Sequence, residues 1–199
     1  MIYLASKSPR RTELLSQVEI EHQIIEISSA ENVDEGLSPS ENAENISLQK
    51  CQEGIRYILK EEMPIFPVLS ADTMVILGSK IFGKPESREH AIEILMELSG
   101  QVHTVITGVS IGTFKNDQTK FQSISVKSFV EFGNLSVLEC EKYCDTHEPF
   151  GKAGAYAIQG LGGKLIKEIK GSYSNIVGLP LFETAQLLEN LKASPKDSA

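Results

Sequence analysis

Ile2-Tyr3-Leu4-Ala5-Ser6-Lys7-Ser8-Pro9-Arg10-Arg11 joins a short apolar run to a cationic helix start, and its reading decides the fold. Residues 2–5 read as a buried strand, Ser8 suits an N-cap, and Pro9 suits the first helical position, where its missing N–H costs nothing. The unpaired N–H groups of that first turn, with Arg10 and Arg11 beside them, form a ready anion site. Arginine forks match phosphate oxygens two at a time, so adjacent arginines favour a polyphosphate over a lone carboxylate. The plain alternative is a helix carrying two solvated arginines.

Outward from this unit, the first helix runs to about Val18, a strand follows at 22–27, and 30–37 reads as a polar loop. Ser38 with Glu41 makes a capping box, and the beat of Ala43, Ile46, Cys51, Ile55 and Ile58 carries a helix to about Lys60. Pro64 and Pro67 bracket the entry to a strand, 68–71, that runs into Asp72 and continues as β through Leu77. Gly78-Ser79-Lys80 turns the chain into Ile81-Phe82, and Gly83-Lys84-Pro85 closes that segment. Ser87 caps a helix at 88–98. Segments 102–114 and 123–132, joined by the polar turn 115–120, read as a hairpin. Ser136 with Glu139 is a second capping box. The glycine-dense stretch 151–163 leaves 155–159 and 164–169 as strand candidates, a last helix spans 181–191, and the tail from Ala193 is expected to fray. Helices and strands alternate early and a hairpin follows, so the expected class is α/β with a mixed sheet.

A chain of 199 residues, 41% of them hydrophobic, can bury a real core. It contains no run of about 18 apolar residues and no cationic-then-apolar leader, so it reads as soluble, cytoplasmic and without a membrane partner. Three cysteines suit a reducing compartment. Cys140 and Cys144 near His147 raise a zinc reading, but the second ligand pair of an ordinary structural site is not evident. A net charge of −8 argues against a nucleic-acid surface and makes the local cations more informative: they fit a small anionic ligand in a pocket.

Asp72, at the end of an apolar strand, stands where α/β sheets present polar groups to ligands, although an isolated aspartate there also serves as a solvated turn residue. Polyphosphate hydrolysis needs oxygen ligands for magnesium or manganese and a carboxylate to activate water; Asp72 and Glu35, next to Asp34, are candidates for both. Lys84, held between Gly83 and Pro85, can neutralise charge on a leaving phosphate, and Lys50 on the capped helix shares that ambiguity with any surface lysine. Gln159 carries a paired donor and acceptor suited to a base edge, or is a strand-end amide. His103 and Thr107 face one side of their strand, with a structural histidine as the default. The Walker and dinucleotide patterns fail: Ile158 and Leu165 stand where glycine and a hydroxyl residue are required. Phosphate chemistry therefore has to come from scattered residues.

Those residues occur in a recognisable order. Ser6-x-Ser8-Pro9-Arg10-Arg11, Asp34-Glu35, Lys50, Ala71-Asp72-Thr73, Gly83-Lys84-Pro85, Ser99-Gly100-x-x-His103, Lys152-Ala153-Gly154-Ala155-Tyr156, Ile158-Gln159-Gly160 and 171–180 together resemble the Maf family over about residues 2–192. The resemblance implies a single domain over 1–192 with a flexible tail at 193–199. It implies an elongated mixed sheet flanked by helices, with two lobes around a central cleft as in inosine triphosphate pyrophosphatases. The implied activity is cleavage of a nucleoside triphosphate between the α and β phosphates, releasing a monophosphate and pyrophosphate with a divalent metal, magnesium or manganese. Carried across, Asp72 is the proton acceptor, Glu35 assists or binds metal with Asp72, and Ser8, Arg11, Lys50 and Lys84 hold phosphates. Arg10, Thr73 and Gln159 match the positions that govern substrate choice, and this trio is similar to the branch preferring dTTP and UTP. Cys51, where the family commonly has alanine, is a departure that leaves Lys50 in place. A homodimer is also implied. Two other readings stay open: the same chemistry on 7-methyl-GTP or another modified nucleotide, and a nucleotide-binding regulator of septum formation whose hydrolysis is incidental.

Overall fold

The computed structural model describes residues 1–28, 31–115 and 118–193; the side chains at 115, 192 and 193 fall outside that description. In chain order the elements are β1 (Ile2–Ala5), α1 (Pro9–Gln17), β2 (His22–Ile25), α2 (Pro39–Lys60), β3 (Val68–Leu77), β4 (Lys80–Phe82) and α3 (Arg88–Leu98). Then come β5 (Val102–Lys115), β6 (Gln118–Phe132), α4 (Val137–Cys144), β7 (Ile166–Lys170), α5 (Tyr173–Val177) and α6 (Leu181–Ala193). The strands form one seven-stranded sheet in the order β2-β1-β3-β5-β6-β7, with β4 paired to β3. β1 runs parallel to β2 and β3, whereas β4 is antiparallel to β3 and β7 to β6. The expected mixed α/β sheet with helices is what forms.

Two compact units divide the chain. One comprises Met1–Asp72, Gly108–Ser125 and Gly178–Ala199. Its core gathers Tyr3, Ala5, Ile25, Cys51, Ile55, Ile58 and Val68. The other comprises Thr73–Thr107 and Val126–Val177. Its core is more aromatic, built from Val75, Phe82, Leu95, Leu98, Phe132, Tyr143, Tyr156 and their neighbours. Buried Cys140 and Cys144 belong to this second core, and burial raises the Cys140 thiol to about 11.

Local signals account for most boundaries. Both capping boxes form, Ser38 with Glu41 and Ser136 with Glu139, and the Ser87 hydroxyl accepts from the His90 N–H. As the sequence reading expects, β3 runs through Asp72 to Leu77, with the segment from Val68 to Asp72 buried. Two details differ from that reading. β6 begins at Gln118, five residues early, on a segment whose exposure alternates with the pleat. Residues 155–159 are not a strand: Gly154 and Ala155 take positive φ, 71° and 57°, and the chain enters a turn at 158–160. Positive φ cannot continue a ladder, and apolar alternation alone does not reveal it. Ala30, Asn116, Asp117 and the tail from 194 lie outside the described residues.

Candidate active site

In the first unit, β1 delivers the chain to α1 through Ser6, whose hydroxyl accepts from the Ser8 N–H at 3.1 Å and from Arg11 Nη1 at 3.0 Å. Ser8 occupies the N-cap position with extended dihedrals, but its own side chain makes no capping bond. Arg11 is buried rather than solvated, and its Nε donates to the Gly178 carbonyl at 2.8 Å. Burial lowers its pKa, while the charges of Asp72 and Glu31 act the other way. Arg10, half-buried, is also lowered by burial against the opposing charge of Glu13.

α2 brings Lys50 to Asp72. The ammonium sits 2.6 Å from Asp72 Oδ1 and 2.6 Å from Glu31 Oε1, with the Lys50 and Asp72 side chains each only 11% exposed. Small residues seat the helix. A Cβ at Gly108 of β5 would lie 2.1 Å from the Ala43 carbonyl oxygen, so the α2 backbone rests directly on that strand. The Ser70 hydroxyl donates to the Ser47 carbonyl at 2.6 Å, and the Ser47 and Ser110 hydroxyls pair at 2.7 Å. Ser47 lies one turn before Lys50, and Ser70 two residues before Asp72, so this buried network fixes the register between the two charged groups. The acidic loop is tied to the same helix: Asn42 Nδ2 donates to the Asp34 carbonyl and its Oδ1 accepts from the Asp34 N–H, both at 2.8 Å.

Arg11, Lys50 and Asp72 thus lie within one unit. Glu35 is placed in the exposed turn after Asp34. The carboxylate that joins Asp72 on Lys50 is Glu31, which sequence reasoning passed over. A lone glutamate in a polar loop carries no periodicity or capping signal; only the closeness of acidic residues at 31, 34 and 35 pointed to the segment.

The second unit holds the remaining candidates. Thr73 follows Asp72 on β3; its hydroxyl lies 2.9 Å from that of Thr107, which donates to the Asn175 carbonyl at 2.9 Å. With the Thr107 proton spent on that carbonyl, Thr73 is the donor of the pair. Lys84 is exposed, in a connection pinned by the Gly154 N–H donating to the Gly83 carbonyl at 3.2 Å. Gly154 is required there, since a Cβ would lie 2.9 Å from both Val75 methyls. Gln159 is exposed in the turn closed by the Gly160 N–H on the Ala157 carbonyl. His103, by contrast, is a core residue: its Nε2 lies 2.9 Å from the Tyr156 hydroxyl, and its ring packs edge-on against Phe132 and Tyr156.

Among the described residues no group of three or more histidine, cysteine or acidic side chains could hold a metal by itself. Two carboxylates meeting at one ammonium nevertheless fit magnesium or manganese, which take one or two carboxylates and draw their other ligands from substrate phosphates and water. The arrangement supplies buried positive charge for phosphate oxygens and a shielded carboxylate able to accept a proton.

Residues 1–191 match the family model described as Maf-like protein. The chain is 43% identical over 191 residues to a dTTP/UTP pyrophosphatase of Bordetella avium, covering 94% of this chain and 93% of that one. It is also 43% identical over 190 residues to a dTTP/UTP pyrophosphatase of Acinetobacter baylyi, at 96% and 99% coverage. A dTTP/UTP pyrophosphatase of Nitrosospira multiformis is 43% identical over 196 residues, with 94% and 93% covered. The ordered motifs, the mixed sheet and these full-length likenesses agree: the chain belongs to the Maf family.

Proposed function

We propose that this protein hydrolyses dTTP and UTP to the nucleoside monophosphate and pyrophosphate. The observation that carries the reading is Asp72 buried against Lys50 in a unit that also buries Arg11, in a chain whose full-length relatives are dTTP/UTP pyrophosphatases. Triphosphate oxygens are neutralised by Arg11, Lys50 and Lys84 and receive the Ser8 hydroxyl. Asp72 takes a proton from water as its oxygen attacks the α–β anhydride; that P–O bond breaks and pyrophosphate leaves with the electron pair. No covalent enzyme intermediate is needed, because positioning and charge stabilisation supply the catalysis. A divalent cation, magnesium or manganese, would be held by Asp72 together with Glu35 or Glu31 and would supply Lewis-acid neutralisation of the phosphates. Arg10, Thr73 and Gln159 select the base. A homodimer in the cytoplasm belongs to the same proposal, and sedimentation and cell fractionation test those two points.

The purified protein is incubated with dTTP, UTP, CTP, GTP, ATP and 7-methyl-GTP, and pyrophosphate and monophosphate are measured. Release of both products, fastest from dTTP and UTP, is expected. Asp72→Asn should fold and bind nucleotide normally yet turn over about a hundredfold slower, the range of a lost general base. Near-normal turnover in that variant removes Asp72 from the role, and 7-methyl-GTP as the fastest substrate overturns the assignment to pyrimidines.

A further inference from the structure

The turn that presents Gln159 is held at both ends by two side chains from one short segment. At its start, the Ala157 N–H donates to the Tyr143 hydroxyl at 3.1 Å. At its end, the Leu161 N–H donates to Glu148 Oε2 at 2.9 Å and the Gly162 N–H to Glu148 Oε1 at 2.8 Å. The Tyr143 hydroxyl in turn donates to Glu148 Oε1 at 2.8 Å, linking the two anchors. The chain is wound so tightly on this carboxylate that a Cβ at Gly160 would lie 2.3 Å from Glu148 Oε2. Burial raises the Glu148 pKa, but the N–H groups of Gly162 and Leu161 and the Tyr143 hydroxyl outweigh it, so the carboxyl sits below its ordinary value and remains charged.

We propose that Glu148 is a positioning residue for base selectivity: its carboxylate fixes the 157–163 loop so that Gln159 meets the base in one orientation. This rests on the reading that Gln159 contacts the base. A bidentate amide discriminates only when its donor and acceptor are aimed, and an exposed glutamine on an unpinned turn would adapt to either a pyrimidine or a purine edge. Three charge-assisted hydrogen bonds on one carboxylate supply that rigidity. The anchors hold the loop that carries Gln159, so the effect expected is on nucleotide choice.

The test compares kcat/KM for dTTP and for GTP in the wild type, Glu148→Gln, Gln159→Ala and the double variant, with melting temperature as a control. Glu148→Gln faces an amide N–H₂ toward backbone donors. It is expected to raise KM for dTTP with kcat little changed, and to shrink the dTTP:GTP ratio about tenfold, the scale of one lost charged hydrogen bond. In the Gln159→Ala background it should produce no further change in the ratio. Gly160→Ala, whose methyl must displace the carboxylate without removing it, should shrink the ratio too and serves if Glu148→Gln does not fold. A purely structural residue would lower kcat for both nucleotides alike and leave the ratio intact; that result in Glu148→Gln and Gly160→Ala, with Gln159→Ala altering the ratio, overturns the proposal. If Gln159→Ala leaves the ratio unchanged, base reading by Gln159 falls, and the proposal falls with it.

Discussion

Lys50 holds two carboxylates on one ammonium, and the two differ in what surrounds them. The Asp72 side chain is buried to the same degree as Lys50, whereas Glu31 is 45% exposed at its side chain. On the proposed reading, a divalent cation bound with the triphosphate would compete for the same oxygens, and Lys50 would then be released toward phosphate. Glu31 and Glu35 make different predictions here. If Glu31 shares the metal with Asp72, Glu31→Gln raises the magnesium concentration for half-maximal activity about tenfold or more, the effect usual for loss of a metal-associated side chain, while Glu35→Gln barely moves it. The reverse ranking in a magnesium titration assigns the metal to Glu35. His103 sets a second residue-level test. Burial lowers its pKa to about 4, and its Nδ1 has no hydrogen-bond partner among the described residues. The folded protein therefore keeps the ring neutral where the unfolded chain, near pH 6.5, protonates it. Stability is lost as pH falls from about 6.5 toward 4, by up to about 3 kcal/mol from this group. Denaturant midpoints taken across that range should fall more steeply for the wild type than for His103→Gln. Parallel curves would show that the ring protonates freely in the fold.

Among elements, α2 matters most for the site, because its seat sets the distance from Lys50 to Asp72. Gly108 of β5 lies against the Ala43 carbonyl, and Gly54 of the helix would bring a Cβ within 2.7 Å of Val68 Cγ1. Gly108→Ala cannot be relieved by rotating a side chain, since the atoms it meets are backbone. It should lower stability by about 1–3 kcal/mol, the usual cost of overpacking, and reduce kcat by lifting Lys50 from Asp72. Equilibrium denaturation and turnover check both; an unchanged protein would mean the helix slides without affecting the site. The helix itself was legible in the sequence, because capping box, apolar period and length all agreed. Its seat was not legible: Gly108, Ser47 and Ser70 are small residues whose meaning comes only from the partner they face across the sheet. The same limit explains the turn at 158–160, where Ala155-Tyr156-Ala157-Ile158 carries a strand-like composition and the positive φ at Gly154 and Ala155 decides otherwise. Asp72, Arg11 and Lys50 could be named in advance as separate charges in suggestive settings. Glu31 could not, because its significance is the 2.6 Å contact it makes and nothing in its neighbourhood in sequence.

Across the whole molecule, the two units have separate cores, yet β3, β5 and β6 each contribute residues to both. This bears directly on the expectation of a single domain over 1–192. A strand cannot lose its ladder over half its length at no expense to the rest, since backbone groups stripped of partners must be rehydrated and the remaining strand loses a neighbour. Unfolding should therefore be one cooperative event despite the division of the core. Leu98 is fully buried in the second core and Ile58 in the first. Leu98→Ala and Ile58→Ala should each cost about 2–5 kcal/mol, the range for truncating a buried aliphatic side chain. If the strands couple the units, calorimetry of either variant gives a single transition displaced to lower temperature, with van't Hoff and calorimetric enthalpies in agreement. If they do not, Leu98→Ala leaves one transition at the wild-type temperature and moves the other, and the chain then counts as two domains.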